Sequence, residues 1–379
     1  MPSPGRTSRR RGGGSKSHRL IVEQLARSGH ECHVLTPDEF PERSVPAADL
    51  SPSGVAHGTL GKVRLWRALD TESLAHTLRR VVADVNPDRV LIPNDDHHWT
   101  IIRAALESAP GRVVCIVHTL QQLPFGPQAY RTDVDATDLL ARCAGIICVS
   151  RAAQDYLRQV GIPSTTIYPN VYEGLTGLEP NKAGRAAMFV TPSPYKGIDI
   201  VLAMAERLPY IDFVGVRGWA TAEDDEQRIS QARNVELIEP DPDFSRLLRM
   251  ARVVLMPSLW EETFGYTCVE AMLHGIPVIA SDVGGLREAK LGVPYVLPVN
   301  RITGYRDSGL AWRPYAHVPA QDIEPWVSTL AALWEDADLH AAVAEQSYAA
   351  ANSFVGGLGI GQIVAYLRDL PDNPDPIRQ

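Results

Sequence analysis

Cysteine is scarce and scattered in this chain. Its 379 residues hold five: Cys32, Cys115, Cys143, Cys148 and Cys268. The number is odd and no C-x-x-C pair occurs. Neither a disulfide framework nor a thiolate zinc site is indicated, and reduced thiols in a cytoplasm are the simplest account. Long apolar runs are also missing. No stretch of eighteen apolar residues occurs, so no membrane-spanning helix is expected. The opening MPSPGRTSRRRGGG lacks the apolar core of a secretory signal. Positive charge is not in excess: 37 Lys and Arg stand against 45 Asp and Glu, a net charge of −8. That balance argues against a nucleic-acid partner. It leaves at most a peripheral membrane contact for the one basic cluster, Arg6, Arg9, Arg10, Arg11, Lys16 and Arg19. Finally, no G-x-G-x-x-G is present and no strand precedes Gly13 and Gly14, which argues against a dinucleotide oxidoreductase. No D-x-D is placed to bind a catalytic metal, and Asp95-Asp96 and Asp224-Asp225 are contiguous pairs. No metal and no cofactor are expected.

What is present is a repeated alternation of short β-branched runs with helical stripes, the pattern of α/β domains. The length suits two of them. Residues 1–11 read as a disordered basic arm, 12–175 as a first domain, 180–355 as a second and 356–379 as a C-terminal helix that returns to the first. The linker is placed within 173–184, EGLTGLEPNKAG.

The most informative stretch is 256–290, MPSLWEETFGYTCVEAMLHGIPVIASDVGGLREAK. VVLM (253–256) and IPVIA (276–280) suit buried parallel strands. Between them Thr263 is a candidate N-cap for a helix over 264–273, which His274 and Gly275 end. The first turn of such a helix has unpaired N–H groups and can hold a diphosphate. Gly265 lets the backbone approach an anion. Glu262 before the helix and Glu270 inside it would repel phosphate, so as site residues they would accept hydrogen bonds from hydroxyls. Their other reading is a solvated loop acid and a surface helix acid.

The first half holds a helical stripe at Leu20, Ile21, Leu25 and Ala26, then the strand ECHVLT. Residues 40–62 read as a long loop and 63–85 as a helix. DRVLIP (88–93) is a strand, with Asn94, Asp95, Asp96, His97, His98 and Trp99 at its carboxyl end, where open α/β sheets place ligands. This polar and aromatic group is either a binding cluster or an N-cap with a solvated loop. RVVCIVH (112–118) ends in His118. One strand is lacking. A doubly wound sheet has its central first strand just before the glycine loop, yet PSPGRTSRRR occupies that place. Two neighbours would then have unpaired backbone edges. Either a strand of about six residues belongs upstream of this chain, or another segment fills the gap.

Glu262 and Glu270, with Phe264-Gly265 between them and GIPVIASDVGG after, resemble the E-x7-E signature of retaining GT-B glycosyltransferases of the family-4 type. The resemblance extends over nearly the whole chain from Gly12. It implies an α/β GT-B fold: two Rossmann-like domains with a ligand cleft between them, the first binding the acceptor and the second a nucleotide-sugar. It implies transfer of a hexosyl-type unit from a UDP- or GDP-type donor to a hydroxyl of a small molecule or glycoconjugate, with retention. His118 resembles the family's histidine at the cleft floor, and Gly14 its glycine loop. Pro192–Gly197 resembles the R-x4-K-G loop whose basic pair clamps the diphosphate. Here Lys196 is present, Thr191 stands in the arginine's place, and Arg217 is a candidate substitute. The implied catalytic group is Glu262, His118 and Lys196. The implied donor-side group adds Glu270, Gly265, Phe264, Tyr266, Thr267, Thr191, Arg217, Gly284, Gly285, Ile238 and Gly14. Acceptor contacts are expected from Asp95, His97, His98 and Trp99. Two alternatives share the fold: a non-catalytic sugar-nucleotide-binding subunit and a GT-B sugar-nucleotide epimerase.

Overall fold

The computed structural model describes residues 13–37, 49–50, 56–68, 73–309 and 313–371. The basic arm and much of the 38–55 loop lie outside the described residues. Residues 14–171 with 359–371 form one unit, and 172–358 form another.

In the first unit, α1 (Gly13–Arg27) buries Leu20, Ile21, Leu25 and Ala26, the stripe read from sequence. It stops at Gly29, whose φ of +97° suits a residue without a β-carbon. Next come β1 (Cys32–Pro37), β2 (Asp49–Leu50), β3 (Ala56–Leu60) and β4 (Val63–Ala68), ordered β1-β4-β3-β2. The helix predicted over 63–85 is therefore wrong over 63–68, which is strand, and part of the predicted 40–62 loop is strand. Val63 and Leu65 share one face of β4 at a spacing of two and pack with Val22 and Ala26 of α1. The four-residue interval from Leu65 to Leu69 imitated a helical stripe. The missed signal was the turn at Gly61-Lys62, which joins β3 to β4 antiparallel, with Gly61 at φ +59°.

The chain continues with α2 (Leu74–Val85), β5 (Val90–Pro93), α3 (Thr100–Ser108), β6 (Val113–Val117), α4 (Val134–Ala141), β7 (Gly145–Cys148), α5 (Arg151–Arg158) and β8 (Thr165–Thr166). Strands β5 to β8 pair in order and in parallel. All five residues of β6 are buried, as a central parallel strand requires. A helix near the C-terminus, Gly361–Asp369, joins this unit. Tyr366 Oη donates to the Ile146 carbonyl (3.3 Å), and Arg89 donates to the carbonyls of Leu367 (3.0 Å) and Leu370 (2.6 Å). The sheet is broken where the sequence predicted a lacking strand. Among the described residues no strand pairs with the second edge of β1 or of β5. Every residue of β1 is only half-buried, although Leu35 packs against the core of the second sheet.

The other unit runs β9 (Ala186–Val190), α6 (Ile198–Arg207), β10 (Asp212–Val216), α7 (Glu223–Gln231), β11 (Val235–Ile238), α8 (Phe244–Leu248), β12 (Ala251–Met256), α9 (Tyr266–Leu273), β13 (Val278–Ser281), α10 (Leu286–Ala289) and β14 (Val296–Leu297). The sheet order is β11-β10-β9-β12-β13-β14, all parallel. This is the doubly wound order, and it reverses between β9 and β12. Ligands bind outside the strand ends at such a point. A hairpin follows, β15 (Tyr305–Arg306) with β16 (Tyr315–Ala316), then α11 (Glu324–Glu335) and α12 (Ala337–Gly356).

The expectation that no segment could span a membrane needs correcting. The stretch Ala337–Asp369 is long and apolar enough by length and composition. It escaped the count because polar residues such as Asn352, Ser353 and Gln362 interrupt it, so it holds no eighteen apolar residues in a row. In the structure α12 buries Val343, Ser347, Ala351 and Val355, one face at four-residue spacing, and packs on α9.

Candidate active site

The loops after β9 and β12 meet at the switch point. After β9 the chain turns at Thr191, whose φ of +57° is unusual for a β-branched residue. Its side chain faces Gly218, where a β-carbon would stand 2.0 Å from Thr191 Oγ1. Pro194–Lys196 forms a single 3-10 turn. Gly197 follows at φ +71°, and a β-carbon there would lie 2.0 Å from the Pro257 carbonyl oxygen. Glycine after Lys196 is thus required by the close approach of the two loops. The N–H groups of Leu259 (2.9 Å) and Trp260 (3.3 Å) both donate to the Tyr195 carbonyl.

This contact brings Lys196 and Glu262 together. Their side chains are only 16% and 13% exposed, and Lys196 Nζ donates to Glu262 Oε1. Ser258 Oγ donates to the same oxygen. The ammonium also stands over the Trp260 ring, 4.3 Å from its centre. Burial lowers the Lys196 pKa, while the Glu262 carboxylate opposes that shift.

Helix α9 begins later than predicted. Its N-cap is Gly265, at φ +108°, not Thr263. A β-carbon at Gly265 would meet Leu286 at 2.6 Å, so packing as well as backbone dictates glycine. Tyr266 and Thr267 form the first turn, and both are half-buried. Phe264 is 3% exposed and packs against Tyr266 (5.7 Å) and Phe354 (5.9 Å), so its ring serves the core rather than an open donor face. Glu270 is buried within α9 at 6% exposure, not a surface acid.

The Gly284-Gly285 turn also departs from its expected use. The Gly284 N–H donates to Glu261 Oε2 and the Gly285 N–H donates to the Glu262 carbonyl (2.7 Å). Both amides are taken by the loop after β12 and neither is presented to a phosphate. Arg217 is likewise engaged. It pairs with Glu226 and, through Nε at 2.9 Å, with Glu239. Ile238 ends β11 beside it, with its carbonyl accepting from the Arg217 N–H (2.9 Å).

Sequence reasoning missed an aromatic group behind Lys196. The Tyr195 ring lies 6.0 Å from Trp219, 5.9 Å from Trp260 and 6.5 Å from Tyr305 of the hairpin. Tyr195 Oη donates to the Pro314 carbonyl. Wide sequence separation hid this group.

In the first unit, His118 stands at the end of β6. Asn94 Oδ1 accepts from the N–H groups of His118 (2.8 Å) and Thr119 (3.1 Å), which fixes the backbone there. Both ring nitrogens of His118 are buried without a hydrogen-bond partner, and so is Nδ1 of His18. The two rings meet edge to face at 6.4 Å. Burial pushes His118 down to about 3 and His18 to about 4, so both are neutral. Gly14 lies against them, since a β-carbon there would stand 3.2 Å from His118 Cβ. His18 escaped notice, although it lies four residues after Gly14 on the same helical face.

The 94–99 cluster does not converge on one point. Asp96 Oδ2 accepts from the N–H groups of Ile101 (2.6 Å) and Ile102 (3.1 Å) at the start of α3, a capping role. His97 Nδ1 bonds Gln122 Oε1 (2.9 Å). Trp99 is 7% exposed, with the Arg131 guanidinium 4.8 Å above its ring. Asp95 and His98 face solvent. Among the described residues no group of three or more His, Cys, Asp or Glu is placed to hold a metal ion.

A family profile described as Glycosyltransferase Family 4 matches residues 11–171, and one described as Glycosyl transferases group 1 matches residues 189–303. The chain belongs to this glycosyltransferase family. Phosphatidyl-myo-inositol mannosyltransferase of Mycolicibacterium smegmatis is 24% identical over 348 residues, 87% of this chain and 83% of the relative. D-inositol 3-phosphate glycosyltransferase of Corynebacterium urealyticum is 29% identical over 151 residues, 39% of this chain and 31% of the relative. A D-inositol 3-phosphate glycosyltransferase of Catenulispora acidiphila is 26% identical over 269 residues, 58% of this chain and 64% of the relative. The chain thus spans less than two thirds of the last two. Among solved structures, Anabaena HepE in complex with UDP and glucose superposes with a TM-score of 0.65 at 17% identity, over 96% of this chain and 98% of that one. WaaG, a glycosyltransferase involved in lipopolysaccharide biosynthesis, gives 0.61 at 15%, over 95% and 96%. At these identities the likeness establishes the GT-B fold alone.

Proposed function

We propose that the chain transfers a hexosyl-type unit from a nucleoside-diphosphate sugar of UDP or GDP type to a hydroxyl-bearing acceptor, with retention. The observation that carries this reading is the part-buried Lys196–Glu262 pair, with Ser258 donating to the same Glu262 oxygen, at the switch point of a doubly wound sheet. The leaving diphosphate gains negative charge as the glycosidic bond breaks. Lys196 and the first-turn amides of α9 offer it fixed positive potential. Donor binding would draw Lys196 toward phosphate and free Glu262 to accept from sugar hydroxyls, while Glu270 serves the ribose. No nucleophile pair stands out in the sequence, which favours departure and attack on one face of the sugar. Thiols that are all unpaired suit a cytoplasmic protein.

The relatives named for inositol glycosyl transfer make a cyclic polyol, or its phosphate, the first acceptor to test. The test is nucleoside-diphosphate release from UDP- and GDP-sugars with and without such acceptors, and anomeric assignment of the product by NMR. Glu262→Ala and Lys196→Ala should each lower turnover at least a hundredfold, about 2.7 kcal/mol of transition-state stabilisation. Full activity in both would defeat the site. Thr191 in the arginine position, and Arg217 committed to Glu226 and Glu239, favour a second reading as a non-catalytic sugar-nucleotide-binding subunit. Nucleotide binding without turnover of any donor would establish that one.

A further inference from the structure

We propose that Arg301 and Glu261 form a positioning pair that clamps the Gly284-Gly285 turn to the backbone of Glu262 and so sets where the Glu262 carboxylate stands. The inference rests on the reading of Glu262 as a donor-side carboxylate. Glu261 is the neighbour of that residue, yet it points elsewhere. It is 6% exposed, with Oε1 accepting from Arg301 Nη1 at 2.7 Å and Oε2 accepting from the Gly284 N–H. Arg301 Nη2 donates to the Asp282 carbonyl at 2.9 Å. One guanidinium thus holds both the loop after β12 and the loop after β13. The next residue repeats the contact, because the Ile302 N–H donates to the Leu259 carbonyl at 3.1 Å.

The turn itself has no freedom to drift while these bonds last. A β-carbon at Gly284 would stand 2.1 Å from the Glu262 carbonyl oxygen, and one at Gly285 would stand 2.4 Å from that of Thr263. Two glycines are therefore needed for backbone to lie on backbone, and the Gly285 N–H closes the contact on Glu262. The weak point is the buried Glu261 charge. Burial raises its pKa, and Arg301 and the Gly284 N–H oppose that, while Asp282 adds repulsion. Asp282 is itself held by Arg287 Nε at 2.9 Å. Without Arg301 the Glu261 carboxyl loses its cationic partner and keeps the repulsion of Asp282. It then takes up a proton or turns outward, and the turn loses its anchor. Arg301 is half exposed and acts only through Glu261 and Asp282.

The experiment compares Arg301→Ala, Arg301→Lys, Glu261→Gln and Glu262→Gln, with Arg306→Ala on the neighbouring hairpin as the control. UDP release from UDP-glucose and hydrogen exchange at the Gly284 and Gly285 amides are measured on each. Arg301→Ala should lower kcat at least tenfold with KM within threefold. It should also shift the acid limb of the pH profile upward and speed exchange at both amides at least tenfold. Arg301→Lys should recover part of each effect, and Arg306→Ala should match the parent. Glu261→Gln, which keeps an acceptor for Gly284 but loses the charge, should fall between. An Arg301→Ala protein with parental turnover, pH profile and exchange overturns the proposal, even where Glu262→Gln is inactive. A parent that does not turn over UDP-glucose counts against the donor reading, and amide exchange then decides the clamp on its own. Should Arg301→Ala not fold, Arg301→Lys and Glu261→Gln carry the same comparison, and parental values in both overturn it.

Discussion

The ammonium of Lys196 lies 4.3 Å from the centre of the Trp260 ring while it pairs with Glu262. The ring face gives Lys196 a second partner that does not compete for its protons. Under the proposed function, a diphosphate that displaced Glu262 would leave the ring to keep the ammonium in place. An aromatic face is worth about 1–2 kcal/mol to a desolvated cation. Trp260→Leu should therefore weaken UDP binding roughly tenfold in calorimetry. Trp260→Phe should stay within about threefold, because the Trp260 Nε1 has no hydrogen-bond partner to lose. Equal affinity in the Leu and Phe variants would remove the ring from the donor site.

Thr191 holds a left-handed backbone at φ +57° where the chain leaves β9. A β-branched residue there costs on the order of 1–3 kcal/mol. Thr191→Gly relieves the strain but adds freedom to the unfolded chain, for a net gain of roughly 0.5–1 kcal/mol. Thr191→Val keeps the strain and loses the hydroxyl. Urea denaturation should rank Gly above the parent and the parent above Val. A Gly variant less stable than the parent would show that the Thr191 contact with Gly218 outweighs the strain.

Sequence made the segment from β12 to β13 legible because its signals are local. Two β-branched runs, an intervening helix and a closing His274-Gly275 each lie within a few residues. What failed needed partners far along the chain. Thr263 looked like a better N-cap than Gly265, yet the Leu286 side chain against Gly265 decides the helix start. The Gly284 amide looked available to a phosphate until the Glu261 carboxylate, 23 residues away, took it. Val63 to Ala68 looked helical because one of its two strand partners, β1, lies 31 residues upstream and the turn to the other, β3, went unread. The 94–99 run was chemically rich but divides among a helix cap, a core tryptophan and solvent. Composition shows which residues are present, and only the fold shows which of them point the same way.

His18 and His118 should make the protein acid-sensitive. Their folded pKa values, about 4 and about 3, lie below the ordinary 6.5. Between those values the unfolded chain binds protons that the native one refuses, so stability falls as pH falls through 6.5 toward 4. With both rings neutral the slope approaches about 2.7 kcal/mol per pH unit, twice the value for one proton. The His18→Gln, His118→Gln double variant should flatten the melting temperature between pH 6 and 4.5. An unchanged slope would assign acid sensitivity to the carboxylates instead.

Lys290 is fully buried at the end of α10, with Nζ donating to the Val278 carbonyl at 2.5 Å. Burial pulls its pKa from 10.5 down to about 8. At neutral pH the native state therefore carries a desolvated ammonium that the unfolded chain would hydrate freely. From about 8 to 10.5 the unfolded chain still binds the proton and the native state does not, so this group's contribution to stability rises with pH. Lys290→Met keeps the volume and removes the charge. The variant should exceed the parent at pH 7 by up to about 3 kcal/mol, from 1.36 kcal/mol per pKa unit. That advantage should shrink toward zero by pH 10.5. The comparison is made in a Cys268→Ser background, because the raised Cys268 pKa acts in the opposite sense over the same range and the Lys290 charge itself lowers it. A parent more stable than Lys290→Met at pH 7 would mean that the bond to Val278 outweighs the cost of burying the charge.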